Sequence, residues 1–203
     1  MHQTTENAMI SRHTYNIKSN TMKKLSLCIA LFFFMATESH AQKLFFSKSM
    51  ETAFFSEARF ENIEAVSRKG VSAVDVAKRE IAFKIPVQSF KFSNGLMQEH
   101  FNENYLESDK YPHATFKGII MEGADLTRNG TYNVIVTGEL YLHGIAKERT
   151  IAGVITVNNS QLEINSAFII PVQDHQIKIP NDKISNISQD IKVKVKAVYE
   201  QKN

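Results

Sequence analysis

The spacing of apolar residues changes twice within residues 90–118 of this chain, FKFSNGLMQEHFNENYLESDKYPHATFKG. Apolar and polar residues alternate before this stretch, over residues 81–87, and alternate again over residues 114–120. A period of two is typical of a β-strand with one buried face. Within the stretch, four apolar residues are spaced one, four and four apart, which places them on one face of a helix: Leu96, Met97, Phe101 and Tyr105.

The sequence also predicts where this helix begins and ends. Ser93 or Asn94 can supply a side-chain oxygen to cap the first turn. Pro112 disfavours helical backbone angles at Tyr111, so the helix must end before that residue. We therefore expect one short helix near residues 94–106, inserted between strands.

The part of the chain before this stretch reads mainly as strands. Residues 44–60 predict two short strands, LFFSKSM and TAFFSEARF, and residues 61–70 predict a helical turn or loop. A third strand is expected over residues 71–76 and a fourth over residues 79–92. Pro86 lies inside the fourth and cannot donate to a sheet, which predicts an edge position or a bulge there.

After the helix, alternating runs are separated by short polar turns. Four such runs predict a meander of antiparallel strands from residue 113 to residue 170. A long connection follows, and residues 189–200 form the most regular alternation in the chain, with lysines on the outer face. Together these patterns predict an all-β fold, a single antiparallel β-barrel of about eight strands with one short helix.

The first 41 residues are predicted to lie outside the folded domain. Two lysines after Met22, an apolar run of about twelve residues and a small-residue cleavage site at Ala41 have the layout of a secretory signal peptide. We therefore expect an upstream extension plus signal over residues 1–41, with the signal itself at 22–41, and a barrel domain over 42–203. The expected location is the periplasm or the exterior, with no stable membrane span once the signal is removed.

Composition excludes two classes of function. Cys28 is the sole cysteine and lies in the predicted signal, so the mature chain has neither a disulfide nor a cysteine metal site. Residues 1–41 contain four of the 24 basic and two of the 21 acidic residues, which leaves residues 42–203 with a formal charge of +1. This near-neutral balance gives no electrostatic footprint for nucleic acid.

Two segments carry a family resemblance. LMQEHFNENYLESDKYPHATFKG and TYNVIVTGELYLHGIAKERTI resemble the YceI-like family of secreted, lipocalin-like bacterial proteins. The resemblance spans about residues 44–200, and its most specific positions are these: Tyr111, Pro112, Phe116, Gly118, Gly138, Leu140, Leu142, His143 and Gly144. It implies a barrel whose apolar tunnel holds a polyisoprenoid or similar lipid in the periplasm, and it brings no catalytic residues.

The apolar residues on the inward faces are the candidate ligand-binding residues. A barrel of eight strands encloses space for its own side chains or for one small ligand, so both interpretations are open for each residue. The candidates are Phe83, Ile85, Phe90, Phe92, Leu96, Met97, Phe101, Phe116, Ile120, Val134, Val136, Leu140, Phe168 and Ile170. We expect Leu96, Met97 and Phe101 to act as a lid over a ligand, or as a plug if the core is filled.

The sequence offers no enzyme signature. Glu99 and Glu103 lie four apart, but this spacing is typical of the wet face of an amphipathic helix. The four histidines after residue 41 lack the spacing of a metal site, and no cofactor is expected. The predicted function is that of a periplasmic lipid carrier, with a non-enzymatic envelope module built on a filled barrel as the alternative. The sequence leaves a homodimer open.

Overall fold

The computed structural model describes residues 43–57, 62–159, 161–179 and 188–201. The extension and signal peptide predicted for residues 1–41 lie outside these residues. Within the described ranges, no helix has the length and apolar character needed to cross a bilayer.

The described part of the chain contains ten β-strands and one short helix. The strands are β1 Leu44–Ser56, β2 Ile63–Ser67, β3 Val71–Asp75, β4 Glu80–Pro86, β5 Lys91–Phe92, β6 His113–Ile120, β7 Gly130–Leu142, β8 Ile145–Asn158, β9 Gln161–Pro171 and β10 Asp190–Gln201. Helix α1, Gly95–His100, continues as a π-helical turn, Phe101–Tyr105. Short 3-10 turns occupy Val87–Ser89 and Val172–His175.

These strands close into a barrel with eight positions in its wall. β1 pairs with β10 on one side, and on its other side it pairs with β3 near its start and with β2 near its end. β3 pairs with β4, and β2 pairs with β5. β2 and β3 therefore share one position in the wall, one after the other. β4 and β5 share the next position in the same way. β6 to β10 complete the circle in chain order, every pairing being antiparallel. The predicted barrel of about eight strands with one inserted helix is confirmed.

Pro86 is the last residue of β4 and the site of one interruption. It pairs with His113 of β6, and the 3-10 turn Val87–Ser89 follows at once. Because proline has no N–H to continue a ladder, the strand ends there. β5 then pairs with β2 only, which leaves a place between β5 and β6 where α1 leaves the sheet and returns to it.

Two predictions for the first strands are wrong. Residues 44–60, predicted as two strands, contain the single strand β1, whose register shifts between Ser47 and Ser49. The extra residue moves the buried positions from odd numbers, as at Phe45, to even numbers, as at Met50. In the sequence this change in alternation looks like the end of one strand and the start of another. Residues 61–70, predicted as a turn or loop, contain β2, where small inward residues such as Ala65 hide the alternation.

One half of the barrel interior, the packed half, is filled by buried side chains. It includes Phe45, Val74, Ile120, Leu126, Val157, Leu162 and Tyr199. The Tyr199 hydroxyl lies 2.7 Å from the Ser72 hydroxyl, which also donates to the carbonyl of Ala82 at 2.7 Å. Burial raises the pKa of Tyr199 well above its ordinary value. The guanidinium of Arg79 closes this end by donating to the carbonyls of Ile120 and Ala124.

Candidate functional site

The other half of the barrel, the hollow half, encloses a partly open cavity of about 520 Å³. Its wall is formed by all eight positions of the barrel, by the helical segment 95–106 and by residues 172–179. A volume of this size lies within the range of about 300 to 1,000 Å³ that is common for small-molecule sites. The barrel is therefore neither fully hollow nor fully filled.

Twelve of the fourteen predicted ligand-binding residues lie in the wall of this cavity. They are Phe83, Ile85, Phe90, Phe92, Met97, Phe101, Phe116, Val134, Val136, Leu140, Phe168 and Ile170. Contact between these side chains and a ligand stays a prediction.

Leu96 and Ile120 do not line the cavity, and the prediction needs correction at both. Leu96 is 59% exposed, because α1 turns Met97 rather than its neighbour toward the barrel. Ile120 is fully buried in the packed half, at the end of β6 away from the cavity. Met97 and Phe101 keep the place expected for a lid, whereas Leu96 faces outward.

Sequence reasoning missed the contributions of β1, β2 and the segment after β9. Thr52, Phe54 and Ser56 line the cavity from β1, as does Ile63 from β2. The bulge in β1 hides the first three from pattern analysis, and the short inward residues of β2 hide the fourth. The regular alternation of β10 is a signal that could have identified its inward residues, which also line the cavity: Ile191, Val193 and Val195.

Four phenylalanines hold the helical segment against the wall. Phe54, Phe90, Phe92 and Phe101 form a cluster with ring centroids 5.0 to 5.8 Å apart. Phe101 stacks on Phe54 at 5.3 Å and meets Phe90 edge-on. The cluster joins the helical segment to β1 and β5 beside the cavity.

Asn94 is the residue that begins the helix. Its side-chain oxygen accepts hydrogen bonds from the backbone N–H groups of Leu96 at 2.9 Å and Met97 at 3.4 Å. These bonds satisfy two of the N–H groups that a helix start leaves unpaired. Of the two caps predicted, Asn94 supplies the bond.

His143 joins three elements at the rim of the cavity. It lies in the two-residue turn between β7 and β8, where His143 and Gly144 both have positive φ. Its Nε2 lies 2.8 Å from a carboxylate oxygen of Glu107, and its Nδ1 lies 3.0 Å from the carbonyl oxygen of His175. Both partners present acceptor oxygens, so a ring nitrogen that carries a proton donates to its partner. The hydrogen bond from His143 holds the pKa of Glu107 below its ordinary value of 4.5.

His175 and Arg149 fasten the 3-10 turn to β8. The buried His175 ring places Nδ1 3.2 Å from the carbonyl of Ile145, so this nitrogen donates. Burial lowers the pKa of His175 below its ordinary value of 6.5, and the charge of Arg149 lowers it further. Arg149 in turn pairs with Asp174 at 2.9 Å. Together with the contacts of His143, these bonds fix the residues on either side of the cavity mouth.

The cavity wall is suited to binding apolar groups rather than to catalysis. Among the described lining residues, none is Asp, Glu, Lys or Arg, and six carry a polar group: Thr52, Ser56, His100, Tyr105, Thr115 and Ser166. Glu99 and Glu103 are exposed on the outer face of the helical segment. In the described ranges, no three His, Cys, Asp or Glu side chains are grouped so that they could hold a metal ion.

Comparison with known proteins agrees with this architecture. The chain matches the profile of the YceI-like domain over residues 35–199. No curated protein matches it.

Solved structures give three similar folds. A polyisoprenoid binding domain from Saccharophagus degradans, implicated in plant cell wall breakdown, has a TM-score of 0.67 at 14% identity and covers 78% of this chain and 98% of its own. Burkholderia cenocepacia BcnA has a TM-score of 0.62 at 19% identity, with coverages of 73% and 95%. A Campylobacter jejuni YCEI protein has a TM-score of 0.52 at 18% identity, with coverages of 72% and 85%. At these identities the likeness concerns the fold alone.

Proposed function

This chain belongs to the YceI-like domain family, and from that premise we propose that its barrel carries a long-chain lipophilic ligand, a polyisoprenoid or similar lipid, in the periplasm. The similar domain from Saccharophagus degradans is described as polyisoprenoid binding, which supports this class of ligand. The periplasmic location rests on the signal sequence predicted at residues 22–41 and on its cleavage after Ala41.

The observation that carries the proposal is the apolar cavity of about 520 Å³ in the hollow half. Transfer of a methylene group from water into such a space is favourable by about 0.8 kcal/mol, so a branched hydrocarbon chain gains affinity with every unit it buries. The depth of the cavity limits how much of a chain is buried, and the remainder must leave through the mouth. Binding therefore depends on apolar area more than on directed polar contacts.

The alternative of an envelope module with a filled barrel receives less support. Side chains fill the packed half, whereas apolar residues of the hollow half surround a partly open cavity of about 520 Å³. Leaving so much apolar wall without packing partners forfeits dispersion contacts, which a bound lipid restores. We propose no catalytic role, because the described wall holds no acid and base at a spacing for chemistry.

Organic extraction of the protein purified from its native host, followed by mass spectrometry, tests this function. We expect about one lipid with a long apolar chain for each barrel. A denatured and refolded sample, delipidated by the same extraction, serves as the blank and should take up geranylgeraniol when it is offered. A clean extract from the native host, together with no uptake by the refolded protein, would contradict the proposal.

Cell fractionation tests the location separately. The mature chain should begin at Gln42 and be released with periplasmic contents by osmotic shock. An amino terminus upstream of residue 22 on the mature protein would contradict the predicted signal.

A further inference from the structure

The wall of the barrel has a slit between β8 and β9. The ladder that joins the two strands ends at the pair formed by Gly153 and Ser166. Residues 145–152 of β8 and 167–171 of β9 continue without pairing to each other, although each strand still pairs with its other neighbour. At this position the wall is therefore closed by backbone hydrogen bonds along only part of its length.

Side-chain contacts close the two ends of this slit. At one end, the Ser166 hydroxyl donates to the carbonyl of Ala152 at 2.7 Å and takes the place of a backbone donor from β9. At the other end, Arg149 pairs with Asp174 at 2.9 Å, which separates the slit from the mouth of the cavity. A strand advances about 3.3 Å per residue, so the part of β8 between Arg149 and Ala152 makes the slit about 10 Å long.

The cavity reaches this slit. The inward side chains of Ile151, Phe168 and Ile170 line the cavity on either side of it. Ala152 faces outward, since it is exposed and pairs with the outward residue Ile135, yet it lines the cavity too. Among the described residues of β7 to β10, it is the only outward one that does so. The slit therefore connects the apolar cavity with the outer surface of the barrel.

The outer surface beside the slit is apolar. Ile169 on β9 and Ile135 on β7 are 52% and 44% exposed, and two exposed alanines lie beside them. Large apolar side chains that are exposed close together mark a surface that binds a partner or a membrane. We call this surface the slit face and define it by the outward residues Ile135, Thr150, Ala152, Ala167 and Ile169, none of which is charged.

Lysines lie along one side of the slit face. β10 pairs with β9 and presents three lysines outward, Lys192, Lys194 and Lys196. Lys192 pairs with Glu57 at 2.8 Å and Lys196 pairs with Glu163 at 3.5 Å. Lys194, between them, has no acidic partner in the part of the chain that the structure describes. An apolar surface with an ammonium group at its margin is complementary to a membrane, where phosphate groups cover hydrocarbon.

We propose that the slit face docks on a phospholipid membrane and that the chain of the ligand passes between β8 and β9 into the cavity. An apolar surface that continues through the slit into an apolar cavity lets the chain leave the membrane without exposing its methylene groups to water, which is unfavourable. Lys194 contacts a phosphate group at the margin. This inference rests on the proposed lipid-binding function and adds the surface from which the ligand is taken.

Flotation with vesicles of phosphatidylethanolamine and phosphatidylglycerol tests the docking of the delipidated protein. Ile169→Asp replaces an apolar contact by a charge and should weaken vesicle binding by about tenfold. Val71→Asp is the matched control, because Val71 is 59% exposed and lies on β3, three strands around the wall from β9. This variant should bind vesicles as the wild-type protein does. All three proteins should take up the same amount of geranylgeraniol when it is dispersed without a membrane.

A fluorescent label identifies the docked surface directly. Residues 42–203 contain no cysteine, so Ile169→Cys and Val71→Cys each carry a single environment-sensitive dye. We expect vesicles to shift the emission of the dye to shorter wavelength in Ile169→Cys and to leave it unchanged in Val71→Cys.

The outcomes separate this inference from the function on which it rests. If the wild-type protein takes up dispersed geranylgeraniol but does not bind vesicles, the lipid-binding function stands and the docking is overturned. If it does neither, both are overturned. Equal flotation of the two aspartate variants, or equal shifts of the two dyes, also overturns the assignment of the slit face. So does a change in the sedimentation of Ile169→Asp without a loss of vesicle binding, because a second copy of the chain then covers this surface.

Discussion

At the residue scale, the two sequence motifs that carry the family resemblance contact each other. Gly118 of the first motif pairs with Gly138 of the second across β6 and β7. A Cβ on Gly138 would lie 2.2 Å from the carbonyl oxygen of Lys117 and 2.4 Å from the Cα of Gly118. At the next contact, a Cβ on Gly144 would lie 2.5 Å from the ring of Tyr111. Both glycines are therefore required because neighbouring atoms occupy the space of a side chain.

Gly138→Ala should destabilise the fold because the added methyl group meets backbone, which cannot move aside cheaply. We expect a loss of about 1 to 3 kcal/mol in the free energy of unfolding, the usual cost of overpacking a well-packed site. Urea denaturation followed by circular dichroism measures it. Gly95→Ala is the matched control, since a Cβ added at this first residue of α1 would have no other atom within 4 Å. That variant should be neutral or more stable by up to about 1 kcal/mol, and an equal loss in both variants would contradict the steric account.

At the element scale, the turn between β7 and β8 anchors the mouth of the cavity. His143 contacts Glu107 after the helical segment and the carbonyl of His175 in the 3-10 turn. His175 returns a bond to the start of β8. The segments that it joins contribute Leu106, Val172 and Ile177 to the cavity wall. Loss of these bonds should loosen the mouth before it affects the rest of the barrel.

The lowered pKa of His175 predicts how stability depends on pH. When the pH is below 6.5, the ordinary pKa of histidine, residue 175 of the unfolded chain binds a proton. In the folded chain the same residue stays neutral until the pH reaches its lower native pKa. This contribution to stability is therefore complete above about pH 6.5 and is lost as the pH falls through that window. Thermal melting at closely spaced pH values should show the loss for the wild-type protein.

His175→Gln is the test for that assignment, because glutamine keeps an N–H donor but does not titrate. The difference between the variant and the wild-type protein at pH 8 measures the fixed cost of the substitution. As the pH is lowered toward 5, the variant should lose less stability than the wild-type protein. Parallel curves for the two proteins would show that another group is responsible.

At the scale of the whole molecule, one half of the barrel interior stabilises the fold and the other half leaves room for a ligand. The packed half buries large side chains around Ile120 and Tyr199, and this closes one end. The hollow half keeps a cavity whose wall includes residues from all eight positions of the barrel and from the helical segment. A ligand that fills this half adds burial to the folded state alone, so we expect it to raise the melting temperature as well.

Two neighbouring residues on β9 allow the amount of ligand that the cavity holds to be tested separately from the stability of the fold. Ile170 lines the cavity, whereas Ile169 points outward and is 52% exposed. Ile170→Phe should reduce the amount of geranylgeraniol that the delipidated protein takes up, because the larger ring occupies cavity volume. Ile169→Phe adds the same ring on the outer face and should leave uptake unchanged. If both variants bind as the wild-type protein does, the cavity is not the site of uptake.

Prediction from sequence succeeded where one face of a strand is continuous. The alternation around Phe83, Phe116 and Leu140 placed each of these residues on the cavity wall. It failed in β1, where one bulge reverses the alternation. It also failed at Leu96, which faces outward although its neighbour Met97 faces the barrel. Pattern analysis assumes an unbroken period, and such local shifts break it.

The sequence by itself determined the fold class and the inserted helix, because periodicity, proline and capping residues act over a few neighbours. The stretch from Phe90 to Gly118 shows all three. Only the tertiary structure decided that the barrel keeps an apolar cavity of about 520 Å³ beside a packed core. Whether a barrel is filled depends on the combined volumes of side chains that eight distant segments bring to one axis, and no local pattern records that sum.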